Sequence, residues 1–119
     1  VEDNAINLEI ALEFLKLLGL TCEAAGDGAE AVEKFLAAPE GYYDLIFMDI
    51  QMPTMNGYEA ARAIRAASRS DAVRVPIIAI TANTFSEDVK MALAAGMNAH
   101  IAKPFELKFL KKIIRQWLN

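Results

Sequence analysis

Five polar residues of this chain stand where apolar stretches begin or end, and their chemistries complement one another. Glu2 and Asp3 open the sequence, Asp49 follows the run Leu45-Ile46-Phe47-Met48, Thr81 follows Pro76-Ile77-Ile78-Ala79-Ile80, and Lys103 follows Ala99–Ala102. Three carboxylates brought within a few ångströms repel one another, and a hard divalent cation relieves that repulsion. Mg²⁺ takes oxygen ligands, keeps several waters, and typically binds one or two carboxylates plus phosphate oxygens. A carboxylate can also act as a nucleophile and form an acyl phosphate. Such a transfer needs cations on the moving oxygens and little else. Lys103 would be the second cation and Thr81 a hydrogen-bond donor. These residue types fit phosphoryl transfer onto a carboxylate better than hydrolysis by a Ser–His or Cys–His pair. The single histidine, His100, lies three residues before Lys103 and has no evident nucleophile partner.

The five converge only if the elements between them carry each one to the same edge. The pattern alternates helix and strand. Asn4 can cap a helix in which Ile6, Ile10, Phe14 and Leu17 recur at helical spacing until Gly19. A short strand over Leu20–Ala25 is expected next, then a break at Gly26-Asp27-Gly28 and a helix over Ala29–Ala38 ended by Pro39. Asp44–Met48 reads as a buried strand. A loop with Pro53 and Gly57 leads to a helix over Tyr58–Ser68, and Val75–Ile80 is another apolar strand. Ser86 is placed to cap a helix to Ala95, Ala99–Ala102 is a last short strand, and Glu106–Leu118 a final helix. Strands joined by helices of this length imply right-handed crossovers and a parallel sheet covered on both faces, the α/β doubly wound class. In such sheets the working site lies beyond the carboxyl ends of the strands, where the five polar residues fall.

Composition bounds the rest. A chain of 119 residues, 55% hydrophobic and 24% charged, is one domain with a real core, too apolar for disorder and too charged for a membrane bundle. No apolar run approaches the roughly 20 residues of a membrane span. One cysteine, Cys22, excludes an internal disulfide and suits a reducing, cytoplasmic compartment. The net charge of −4 argues against nucleic acid as the main partner. Residues 1–60 carry twelve acidic and two basic side chains, and residues 61–119 four acidic and ten basic ones. Either solvated charges fell unevenly, or early carboxylates meet a late lysine. No Gly-rich phosphate loop follows any strand, which disfavours a nucleotide-binding domain.

Four strings in order, Val-Glu-Asp-Asn at 1–4, Met-Asp-Ile-Gln-Met-Pro-Thr-Met-Asn-Gly at 48–57, Ile-Thr-Ala-Asn at 80–83 and Lys-Pro-Phe at 103–105, resemble the receiver domain of two-component response regulators. The wording is most similar to receivers of hybrid sensor histidine kinases. The resemblance spans the chain and implies a single flavodoxin-like receiver domain over 1–119, with five parallel strands in the order 2-1-3-4-5 and five helices. It implies that Asp49 accepts a phosphoryl group from a histidine kinase or histidine phosphotransfer protein. Asp3 would then ligate Mg²⁺ directly, Glu2 through water, and Gln51 through its backbone carbonyl. Lys103 would pair with the phosphoryl group, and Thr81 would hydrogen-bond it and carry the signal. His100 occupies the place of a switching aromatic ring, and Lys103-Pro104 that of a cis peptide. No direct contact with nucleic acid or membrane is implied, and the domain itself is not a turnover enzyme.

Two rival classes share these residues. A metal-dependent phosphohydrolase with an Asp nucleophile, of the haloacid dehalogenase type, places a second Asp two residues on, where this chain has Gln51. A pure interaction module would not need all five polar groups. A second apolar arc on the first helix, Leu8, Leu12 and Leu15, reads as a partner surface separate from the arc of Ile6, Ile10, Phe14 and Leu17. Finally, only Val1 stands where a receiver supplies about five apolar residues before the acidic pair. The first strand is therefore expected to be largely missing, with further residues preceding Val1 in the native protein and an open slot between Leu20–Ala25 and Asp44–Met48.

Overall fold

The computed structural model describes residues 1–52, 55–81, 86–103 and 106–118, with side chains left undescribed at 86–88. Among these residues, five helices flank a parallel sheet: α1 (Ala5–Leu17), α2 (Gly28–Ala37), β1 (Ile46–Asp49), α3 (Gly57–Arg65), β2 (Ile77–Thr81), α4 (Ser86–Ala94), β3 (Ala99–Ala102) and α5 (Leu107–Trp117), with a short 3₁₀ turn at Ser70–Val73. The caps explain the starts. Asn4 accepts from the Asn7 amide, Asp27 from Glu30, and Asn56 forms a reciprocal capping box with Glu59. Helix α3 stops at Arg65, short of the expected Ser68, because the chain tightens into turns that lead to the 3₁₀ segment. Ser86, expected as a cap, is the first residue of α4, and its side chain, the loop residue Pro53 and the Lys103-Pro104 peptide lie outside what is described.

The strands run in the order β1-β2-β3, with Asp49 opposite Ile80 and Thr81 opposite Ala102. Alternation along them divides the core. Met48, Ile77 and Ala79 pack with Phe35, Ala61, Ile64 and Ala92 on the α2–α3–α4 face. Phe47, Ile78, Ile80 and Ile101 pack with Phe14, Leu110, Ile113 and Trp117 on the α1–α5 face. Apolar burial of this kind, worth roughly 25 cal/mol per Å², is the main term holding the strand ends in place.

The stretch Leu20–Ala25 lies beside the sheet without strand pairing, contrary to expectation. Among the described residues no strand lies between this stretch and β1, and only Val1 and Glu2 bridge the two. Val1 takes the first-strand position: its amino group donates to Phe47 O at 2.6 Å and its carbonyl accepts from Asp49 N at 3.0 Å. Glu2 N donates to Ala25 O at 3.1 Å on the other side. Ahead of Val1 a groove of about 520 Å³ opens, lined by residues including Leu12, Leu20, Ala25, Phe47 and Leu110. Leu20–Ala25 and β1 thus flank one slot, as the 2-1-3-4-5 order requires, and the observed strands are the third to fifth of that order.

Helix α1 corrects a second expectation. Leu15 is buried and Leu8 and Leu12 are half-buried against the groove, whereas Ile6 and Leu17 are 69% and 74% exposed and Ile10 is also exposed. The leucine arc faces inward, so it cannot be a free partner surface. Two apolar arcs of similar strength leave the helix's rotation undecided by periodicity alone. The exit of the chain from the sheet at Glu2 and the Asn4 cap set it.

Candidate functional site

The carboxyl ends of the strands gather the expected residues. Asp49 ends β1 and Thr81 ends β2, and both are buried. Lys103 follows β3, and its amide donates to Thr81 O at 2.9 Å, which ties the last two strands together at the site. Glu2 is buried and Asp3 exposed, and oxygens of Glu2, Asp3 and Asp49 lie within 4.8 Å of one another. The Lys103 ammonium sits 3.0 Å from Asp49 Oδ2 and 3.0 Å from Glu2 Oε2. Burial pulls the lysine's pKa down, but pairing with Asp49 and Glu2 outweighs it and holds Lys103 above its usual value.

The charges do not balance at this corner. Among the described side chains one ammonium, Lys103, faces three carboxylates, and Glu2 Oε2, although close to Lys103, is buried with no well-aligned hydrogen bond. A buried anionic oxygen left in that state is costly, and a cation with oxygen preference would satisfy it. The donors are all hard oxygens, so the residues present fit a divalent metal. Gln51 lies with Asp3 along a shallow cleft that also includes Met52, Asn56, Tyr58 and Met91. His100 is exposed on β3 opposite Ala79, outside the carboxylate cluster.

Gly57 is part of the site's construction, a role its place before a helix did not announce. Its amide donates to Ile50 O at 2.8 Å, and a Cβ there would stand 2.3 Å from Asp49 O. Only glycine lets α3 approach the backbone of Asp49 so closely. Gly28 does the same for α2, where a Cβ would meet Met55 O at 2.5 Å. Among the described residues, no helix is long and apolar enough to cross a membrane.

The comparisons with known proteins agree with this geometry. The family model described as the response regulator receiver domain matches residues 1–115. A probable histidine kinase of rice is 43% identical over 117 residues, a match covering 89% of this chain and 11% of the kinase. The peroxide stress-activated histidine kinase mak1 of Schizosaccharomyces pombe is 36% identical over 99% of this chain, which is 7% of its own length. The chain therefore spans a small part of these relatives. Among solved structures, the receiver domain of a Pseudomonas aeruginosa sensor histidine kinase superposes with a TM-score of 0.87 at 40% identity, covering 99% of this chain and 93% of that one. That structure holds a magnesium ion in its active site cleft. A co-crystal of the Saccharomyces cerevisiae phosphotransfer protein Ypd1 with the receiver domain of Ssk1 matches with a TM-score of 0.84 at 36% identity, over 98% of this chain and 83% of that one.

Proposed function

The chain belongs to the response-regulator receiver family, and from that premise we propose that it takes a phosphoryl group from a phosphohistidine protein onto Asp49 and relays its presence through β2 and β3. The observation that carries this reading is the meeting of Asp49, Glu2 and Lys103 within ion-pair distance at the strand ends, with Asp3 beside them. In the transfer, the P–N bond to the donor imidazole breaks and a P–O bond to an Asp49 carboxylate oxygen forms. The imidazole leaves as the neutral ring once protonated. Lys103 holds Asp49 Oδ2 and so fixes the plane of the attacking carboxylate. Asp3, Asp49 and the Gln51 carbonyl would hold Mg²⁺, with Glu2 acting through water, and the bound ion would neutralise charge on the phosphoryl oxygens. After transfer Asp49 bears a dianion in place of a monoanion. Thr81 and Lys103, on adjacent strands, are then drawn toward it, which biases the position of β2, β3 and the elements that follow them.

The donor is a histidine kinase or a histidine phosphotransfer protein. The exposed apolar residues Ile6 and Ile10 on α1, close in sequence to Asp3, are the docking surface in place of the leucine arc. A phosphohydrolase reading is weaker, because Gln51 cannot act as the acid or base that rapid hydrolysis of the acyl phosphate requires.

The direct test is incubation with acetyl phosphate and Mg²⁺ followed by intact mass. One acid-stable, base-labile phosphoryl group is expected on the wild-type chain and none on Asp49→Asn, which keeps the shape but lacks an anionic nucleophile. Equal labelling of the variant would refute the assignment.

A further inference from the structure

Of the ten basic residues in 61–119, Lys103 alone among those described is paired with the site carboxylates. Arg65, at the end of α3, serves the opposite end of the sheet. Its Nε donates to Gly96 O at 2.9 Å, Nη1 to Ala72 O at 3.0 Å and Val75 O at 2.7 Å, and Nη2 to Asn98 Oδ1 at 2.8 Å. Four of its five N–H donors are thus engaged, each by an acceptor on a different stretch of chain or a different turn of it. Asn98 extends the arrangement: its Oδ1 also accepts from Ile77 N at 2.8 Å, and its own amide donates to Ile77 O at 2.8 Å. The guanidinium therefore joins the starts of β2 and β3 to the exit of α4.

The exit of α4 is shaped for this contact. Gly96 has φ +98°, a left-handed conformation, and a Cβ there would lie 2.8 Å from Arg65 Cγ. The next residues are also fixed: Met97 N donates to Ala92 O at 3.0 Å, and the Met97 side chain is buried. Within the described part of α4 only Ala92 and Ala95, the latter just past its end, pack into the core, while Met91 and Leu93 are exposed. Small side chains give a smooth contact that resists rotation weakly, so the hydrogen-bonded end is the firmer anchor. The other end of α4 follows Thr81, the residue drawn toward Asp49 in the proposed function.

We propose that Arg65 is a positioning residue for the signalling transition, pinning the C-terminal end of α4 at Gly96 so that phosphorylation of Asp49 swings the helix about that point and does not slide it along the sheet. The proposal rests on the phosphoacceptor reading of Asp49. A nine-residue helix is about 13 Å long, so a swing of about 10° carries its first turn roughly 2 Å while Gly96 stays in place. The pin converts a pull at Thr81 into rotation because β2 and α4 are fastened together at the end remote from the pull. It also keeps β2 and β3 in register while their site ends adjust.

The test is amide hydrogen exchange on the full chain with Mg²⁺, with and without excess acetyl phosphate, the label being followed in parallel by intact mass. In the wild-type protein, exchange in Ser86–Val89 is expected to change about fivefold or more on phosphorylation, and in Gly96–Asn98 by less than about twofold. Equal changes at both ends, or larger ones at Gly96–Asn98, would overturn the pin. Arg65→Lys, which keeps the charge but loses the fork, is expected to accept the label at the wild-type rate and to spread the phosphorylation-dependent change through Asn98. An unchanged wild-type pattern in that variant would also overturn the proposal. Should Arg65→Lys fold poorly, the wild-type comparison decides by itself. Failure of the wild-type chain to take the label at Asp49 would refute the phosphoacceptor reading, and the pin with it.

Discussion

Lys103 Nζ lies 3.0 Å from Glu2 Oε2, bringing the last strand's terminus against the first residues of the chain. The ammonium partly neutralises two of the carboxylates that a divalent ion would draw on. Removing it in Lys103→Met is expected to tighten Mg²⁺ binding by about fivefold or more, since a nearby like charge is lost, while slowing labelling by acetyl phosphate. Asp3→Ala is expected to weaken Mg²⁺ far more than Glu2→Gln, because a directly ligated carboxylate loses more Coulomb energy than one acting through water. Calorimetric titration measures both. Equal losses in the two acidic variants would remove the distinction between direct and water-mediated ligation.

Docking is expected to be separable from chemistry. Ile10→Asp places a charge in the exposed apolar stripe of α1 without touching the carboxylates. Transfer from a cognate phosphohistidine protein is expected to slow about tenfold or more, and labelling by acetyl phosphate to stay as in wild type. Leu12→Asp, by contrast, is expected to lower stability, because Leu12 faces the groove. If Ile10→Asp slows both donors alike, the stripe is not a docking surface.

The approach of α3 to Asp49 predicts a cost for the smallest possible enlargement. Gly57→Ala would set a Cβ 2.3 Å from Asp49 O, so the helix or the strand end must shift. A loss of about 1–3 kcal/mol in urea unfolding is expected, with slower labelling because the nucleophile moves. A variant as stable and as reactive as wild type would contradict the close packing.

Acid titration reports on a contact far from the site. Asp71 accepts from Arg69 at 2.8 and 2.9 Å and from the Gly41 amide at 3.0 Å, and the Arg69 hydrogen bonds hold its carboxyl at about 2, below its ordinary 3.8. The folded value is the lower one, so the contribution to stability is complete above about pH 4 and is lost as pH falls through 2. Asp71→Asn is expected to be less stable at pH 7 and to lose less stability between pH 4 and 2. Parallel urea midpoints across that range in both proteins would rule the linkage out.

The sequence by itself determined the helices, three of the strands, and the convergence of Glu2, Asp3, Asp49, Thr81 and Lys103. Apolar runs, caps and breakers are local signals, and in a parallel sheet the residue after each strand falls at one edge whatever the packing details. Only the tertiary structure decided the rest. Leu20–Ala25 has strand-like residues but forms none, since a strand exists only with a neighbour to pair with. The rotation of α1, which buries Leu15 and exposes Ile6, depends on where the chain leaves the sheet, because its two apolar arcs are locally equivalent. The excess of late cations read from composition went mostly elsewhere than the site, with Arg65 reaching Gly96 and Arg69 reaching the Phe35 and Ala38 carbonyls. Those partners lie some thirty residues away in sequence, joined by fixed carbonyl positions that no local pattern specifies.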